Sequence, residues 1–181
     1  MSKALLLIDI QRDYFPGGAH PLVGPEPAAE AARRLLADYR DRGEPVIHLQ
    51  HISEGPDATF MRPGTDGVEI HPLVAPAGDE PVIQKQAPNG FVGTSLEREL
   101  RGHGIDEIVV AGMMSSMCVD ATVRAAVDLG FTATVVHDGC AAPDLRFGDE
   151  TIPGATVHAS FMAALDGMYA DVVSADEALG D

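Results

Sequence analysis

Three side chains in this sequence have the chemistry of a nucleophile, a base and a charge partner, and each lies where a strand ends. Cys118 lies in Gly112-Met113-Met114-Ser115-Ser116-Met117-Cys118-Val119-Asp120-Ala121-Thr122. The apolar run Ile105 to Met113 ahead of it reads as a strand. Val119, Thr122, Val123, Ala126 and Val127 after it follow helical spacing, with Gly130 as a stop. Cys118 is therefore expected in the first turn of a helix, beside amides without intrahelical partners. Those amides and the helix dipole favour a thiolate, the form that attacks carbonyl carbon. The alternative is a small apolar cysteine that fills a core.

Asp9 closes Ala4-Leu5-Leu6-Leu7-Ile8, an apolar strand near the start of the chain. A carboxylate there must be paired, hydrogen-bonded or aimed into a cleft, unless it merely caps a turn. Lys85 closes Pro81-Val82-Ile83-Gln84-Lys85. The chain has only two lysines, Lys3 and Lys85, among 12 basic residues, so arginine carries most of the cationic surface. A snorkelling edge lysine is the competing explanation.

Together these residues resemble the isochorismatase-like cysteine hydrolases, which include nicotinamidases, N-carbamoylsarcosine amidases and isochorismatases. The stretch from Leu7 to Ala19, LIDIQRDYFPGGA, is similar to that family's opening motif. Pro63-Gly64-Thr65, Gly93-Thr94 and Cys118-Val119-Asp120-Ala121-Thr122 match later landmarks. The resemblance implies Cys118 as nucleophile, Asp9 as general base and Lys85 as the group that holds Asp9. It also implies an oxyanion hole from the backbone N–H groups of Met114 and Cys118, and a cis peptide at Met113-Met114.

The departures matter as well. Metal-binding nicotinamidases carry Asp-x-His after the second strand, whereas this chain has His48-Leu49-Gln50-His51-Ile52-Ser53. His48, His51 and His71 do not form the spaced ligand set that zinc requires, so no metal and no other cofactor is expected. Isochorismatases commonly lack the cysteine, so its presence favours amide chemistry. The expected activity is cleavage of a C–N bond in a small amide, carbamoyl compound or lactam. Two alternatives remain: an ether hydrolase that uses Asp9 and Lys85, and a non-catalytic redox-sensing thiol. Tyr14, Phe15, Phe60 and Phe91 are candidate walls for a planar substrate.

The elements that must position these groups alternate along the chain. Strands are expected at Ala4–Ile10, Val46–Ile52, Pro81–Gln86, Ile105–Met113, Thr132–His137 and Asp171–Val173. Helices are expected at Glu26–Arg42, near Thr94–Gly102 with Thr94 and Glu97 as a capping box, after Cys118, and at Pro153–Tyr169. A short terminal helix is capped by Ser174 and Glu177. Ala28, Ala32, Leu35, Leu36 and Tyr39 form one apolar face of the first helix. Ser53 to Glu80 is too long for a bare connection and is expected to wall the pocket, and a further loop carries Asp144, Arg146 and Phe147.

The βα alternation predicts a three-layer α/β/α fold around a parallel sheet. The resemblance adds six strands in the order 3-2-1-4-5-6. Ligands bind at the carboxyl ends of such strands, where the winding reverses. Asp9 and Cys118 flank that point, but Lys85 is expected about 10 Å away at ~4.8 Å per strand.

A chain of 181 residues with 45% hydrophobic content is read as one domain, 1–181. A net charge of −16 argues against nucleic-acid and anionic-membrane partners. The partner expected is a small-molecule substrate, with a homodimer or higher homo-oligomer implied by the resemblance. The two cysteines suggest no disulfide framework, with Cys140 a bystander. No signal-peptide pattern precedes Ala4, so a cytoplasmic location is expected.

Overall fold

The computed structural model describes residues 2–180. The strands are β1 (Lys3–Ile8), β2 (Val46–His51), β3 (Val82–Lys85), β4 (Glu107–Met113), β5 (Thr132–Ala141), β6 (Leu145–Phe147), β7 (Glu150–Ile152) and β8 (Asp171–Val173). The α-helices are α1 (Pro25–Arg42), α2 (Leu96–Gly102), α3 (Asp120–Asp128), α4 (Gly154–Leu165) and α5 (Ala175–Leu179). Six strands form one parallel sheet in the order β3-β2-β1-β4-β5-β8. This is the expected order, with β8 as the sixth strand.

Side chains alternate between faces along a strand, and β1 feeds both layers of core. Leu5 and Leu7 pack with Leu35, Leu36 and Tyr39 of α1. Leu6 and Ile8 pack with Leu96 and Leu100 of α2, Val123 and Ala126 of α3, and Met162 of α4. The predicted apolar face of α1 is buried throughout. Among the described residues no helix is long and apolar enough to cross a membrane.

Several boundaries differ from those read in the sequence, each for a local reason. β1 stops at Ile8 because Asp9 is left-handed, with φ +49°. β5 runs on past His137 to Ala141 after a register shift opposite Val110 and Gly112, which pairs Cys140 with Gly112. The loop carrying Arg146 and Phe147 is a hairpin of β6 and β7. α4 ends at Leu165, after which Asp166 bridges to Ala170.

The capping box expected at Thr94 and Glu97 does not form. Ser95 is the N-cap of α2 and makes no side-chain cap bond. Thr94 Oγ1 instead donates to the Gly90 carbonyl at 2.5 Å, which ties down the chain leaving β3. The box of Ser174 and Glu177 at α5 is complete. The 53–80 segment is organised by two single 3₁₀ turns, Asp66–Val68 and Pro72–Val74, and by a bridge from Ile70 to Gln11.

Candidate active site

The carboxyl ends of β1, β3 and β4 bring Asp9, Lys85 and Cys118 together. Lys85 Nζ lies 2.7 Å from Asp9 Oδ2, and both side chains are fully buried. Cys118 Sγ lies within 4.8 Å of an Asp9 carboxylate oxygen.

This closeness corrects the expected gap of about 10 Å, and the backbone explains how. An extended continuation of β1 would send Asp9 to the face opposite Ile8. Its left-handed φ re-aims the carboxylate instead. Such a conformation in a non-glycine residue is held by its surroundings: Asp9 N–H donates to the Leu49 carbonyl at 3.1 Å, and the Asp9 carbonyl accepts from Gln11 N–H at 2.9 Å. Lys85 shares the face of Ile83, two residues back on β3, which packs in the same core as Cys118.

The segment after Lys85 is pinned over the sheet. Gly90 N–H donates to Thr122 Oγ1 of α3 at 2.9 Å. That holds Ala87 where its carbonyl accepts from Lys85 Nζ at 3.1 Å.

Cys118 does not sit in the first turn of an α-helix. It belongs to a single π-turn, Ser115–Val119, which precedes α3. The Met113-Met114 peptide ahead of that turn is cis. Gly112 lets β4 approach β1 closely, since a Cβ there would meet the Ile8 carbonyl oxygen at 2.2 Å. Ser115 is buried at the start of the turn, and its Oγ shares a 2.8 Å hydrogen bond with His158 Nδ1 of α4.

Burial opposes the thiolate expected from helix position. Burial, then the negative charge of Asp9, push the Cys118 thiol well above its ordinary value, and Lys85 opposes only part of this. Burial acts to lower the Lys85 ammonium, but the charge of Asp9 beside it overrides this and raises it. Burial and the Asp9 charge thus favour the thiol at Cys118, while Asp9 favours the charged form of Lys85. Cys140 is also buried, and its thiol is pushed up to about 12 by burial. It donates to the Val136 carbonyl at 3.4 Å.

The aromatic candidates separate. Tyr14 is buried, and its phenol is pushed up by burial, then by the charge of Asp9. Its ring lies 6.1 Å from Phe60, which also stacks with His20 at 5.2 Å and with His51 at 6.4 Å. Phe15 stacks on His71 at 3.9 Å, away from this group. Phe91 is a correction: it stacks on Phe131 at 6.2 Å, just before β5 begins, and packs into the core at the amino side of the sheet.

One concavity reaches Lys85 of the triad, and a second lies around Phe15 and His71. The first, of about 530 Å³, is lined by Ile52, Gln84, Lys85 and Ala87. The second, of about 500 Å³, is lined by Asp13, Phe15, Gly67 and His71. A concavity of about 650 Å³ lies at the opposite edge of the sheet, around Lys3, Tyr39 and His103. It is lined by none of Asp9, Lys85 and Cys118, so size alone does not mark the site.

The sequence reading missed the supports of this region. Asp13 is buried, and its carboxylate accepts from the N–H groups of Ala19 at 2.9 Å and Met61 at 2.5 Å. This clamps the segments that carry His20 and Phe60. Gln11 Oε1 accepts from His51 N–H at 2.8 Å, and its Nε2 donates to the His51 carbonyl at 2.9 Å. A buried Gln and Asp two residues apart after a strand were the available signal.

Asp9, His51 and Cys118 offer ligand atoms within 4.8 Å of one another. A divalent cation there would face the Lys85 ammonium 2.7 Å from Asp9. The charge balance thus suits proton transfer better than metal binding.

Comparison with known proteins agrees with this architecture. Residues 3–177 match the isochorismatase domain model, and the chain belongs to the isochorismatase family. It is 52% identical over 172 residues to the isochorismatase family protein YddQ of Bacillus subtilis, covering 95% of this chain and 96% of that one. It is 34% identical over 193 residues to a maleamate amidohydrolase of Pseudomonas putida, covering 97% and 84%. A solved structure described as an isochorismatase hydrolase, from Oleispira antarctica, superposes with a TM-score of 0.95 at 47% identity, covering 99% and 97%.

Proposed function

We propose that this protein is a metal-independent hydrolase that cleaves a C–N bond of a small amide, carbamoyl compound or lactam through a Cys118 thioester. The observation that carries this reading is the buried contact of Asp9 with Lys85 beside the Cys118 thiol. An amidohydrolase among the relatives supports the bond type.

In this mechanism Cys118 Sγ attacks the substrate carbonyl carbon as its proton passes to Asp9. The oxyanion is met by the backbone N–H groups of Met114 and Cys118. Collapse expels the amine, which takes the proton from Asp9 and leaves a thioester. Water then attacks while Asp9 takes its proton. The acid departs, and Asp9 returns the proton to the thiolate. Lys85 keeps Asp9 charged at the start of each half-reaction and balances the negative charge that appears on sulfur. The raised thiol makes the Asp9 step necessary, since little thiolate exists at rest.

The test is ammonia release from a panel of small primary amides and carbamoyl compounds, and appearance of the ring-opened amino acid from lactams, with Cys118→Ala as control. Turnover that vanishes in the variant is the expected result. An ether hydrolase using Asp9 and Lys85 would retain activity in Cys118→Ala, and a redox thiol protein would release no ammonia.

A further inference from the structure

The Lys85 ammonium meets three fixed groups on neighbouring elements, one as an ion pair and two as hydrogen-bond partners. They are Asp9 Oδ2 at 2.7 Å, the Ala87 carbonyl at 3.1 Å and His51 Nδ1 at 3.4 Å. The third is a side chain to which the reaction scheme above gives no role. His51 is the last residue of β2 and the register partner of Lys85 on β3, so the two side chains stand side by side. Its backbone is held on both sides by the buried Gln11. Its ring lies nearly parallel to Phe60, at 9°.

An ammonium donates and never accepts. The imidazole nitrogen that faces Lys85 must therefore carry a lone pair, which places the proton of the neutral ring on Nε2. The other groups facing this ring are Asp9, from the end of β1, and Cys118, from the π-turn. Burial, then Lys85, hold the imidazole below its ordinary range, and Asp9 opposes them only in part. The ring is thus kept neutral in one tautomer by a permanent cation. One of its nitrogens lies within 4.8 Å of both the Asp9 carboxylate and Cys118 Sγ.

Resting on the reading of this site as a Cys118 hydrolase, we propose that His51 has two separable duties. Its Nδ1 positions Lys85, and through it the Asp9 base. Its Nε2–H is a hydrogen-bond donor for an acceptor atom of the substrate, which restricts substrates to those with a carbonyl, ring nitrogen or hydroxyl beside the scissile amide. His51 is a positioning and specificity residue; it does not carry the transferred proton.

Two partial mimics separate these duties. His51→Asn keeps an acceptor near the Nδ1 position and loses the Nε2–H. His51→Gln can place an N–H near the Nε2 position and loses the Lys85 acceptor. His51→Leu loses both. Each is assayed as the full chain, with the best substrate from the amide panel and with iodoacetamide as a probe of Cys118.

His51→Asn should keep kcat within about threefold and raise KM by roughly 2- to 10-fold, the worth of one net hydrogen bond. His51→Gln should keep KM and lower kcat by about 10-fold or more, with slower alkylation of Cys118. His51→Leu should show both losses. The acid limb of kcat/KM, to which a second cation beside Lys85 contributes in the wild type, should move to lower pH in His51→Leu, where protonation of the Asp9 base alone remains.

A folded His51→Leu with wild-type kcat, KM, acid limb and alkylation rate would overturn the proposal. So would identical behaviour of the Asn and Gln variants. The alkylation arm needs no substrate. If no amide is turned over but His51→Leu still slows labelling of Cys118, the amidase reading fails and the positioning role stands. If Cys118→Ala abolishes turnover while every His51 variant matches wild type, the reverse holds.

Discussion

Replacing Asp9 with Asn keeps the shape of the side chain and removes the charge, in a place where both effects can be read. The Lys85 ammonium then remains buried without a countercharge, since both side chains of the pair are fully buried. Breaking such a pair from one side destabilises by about 3–5 kcal/mol. For a chain of this size each kcal/mol lowers Tm by roughly 2–4 °C, so Tm should fall by about 6–20 °C. Turnover should fall separately by about 10²–10⁴-fold, the usual contribution of a general base. Alkylation of Cys118 near neutral pH should instead quicken, because the carboxylate charge that holds the thiol up is gone while the Lys85 ammonium remains. The two effects are separated by adding Lys85→Met. The double variant Asp9→Asn/Lys85→Met has no stranded charge, so much of the lost Tm should return while activity stays low. Turnover per folded molecule and Tm are measured on the same preparations. A single variant with lowered Tm and unchanged turnover would remove Asp9 from the chemistry and leave it as a brace of the turn after β1. A double variant that regains activity with stability would refute the argument in the same way.

Other expectations follow from the same physics. Activity should survive exhaustive chelation, and elemental analysis should find no stoichiometric zinc or iron; loss to a chelator with rescue by one divalent ion would reverse the metal-free reading. Away from the site, burial tends to raise the Glu80 carboxyl, but Arg40, the Ala77 amide and His48 hold it down at about 2. A depressed carboxylate stabilises above its unfolded value of about 4.3 and loses that contribution as pH falls toward 2. Glu80→Gln should therefore lower stability at pH 7 by about 1–3 kcal/mol, discounted for partial exposure of Arg40, and the difference from wild type in urea melts should shrink below pH 4.5. A gap that is constant with pH would assign the loss to packing instead.

The sequence by itself determined the layered α/β fold and the identity of the three reactive groups. The apolar runs and the single amphipathic face of α1 are local patterns, readable because each residue's burial repeats with the element's own period. Asp9, Lys85 and Cys118 stood out because charged or nucleophilic side chains at the ends of apolar strands are unusual. The resemblance to a known family carried the strand order. What local pattern could not decide was aim. Whether Asp9 faces Lys85 depends on one left-handed residue after β1, which the period of the strand does not encode. Whether Lys85 crosses from β3 depends on Thr122 of α3, which anchors the loop after it. For Cys118 the helix position that favours a thiolate is visible in the sequence, whereas the burial and the Asp9 charge that push the thiol up are set only by the fold. His51 looked like a weak metal ligand until β2 and β3 came into register and set it against an ammonium. Each of these depends on groups distant in the chain, and only the packed fold brings them into contact.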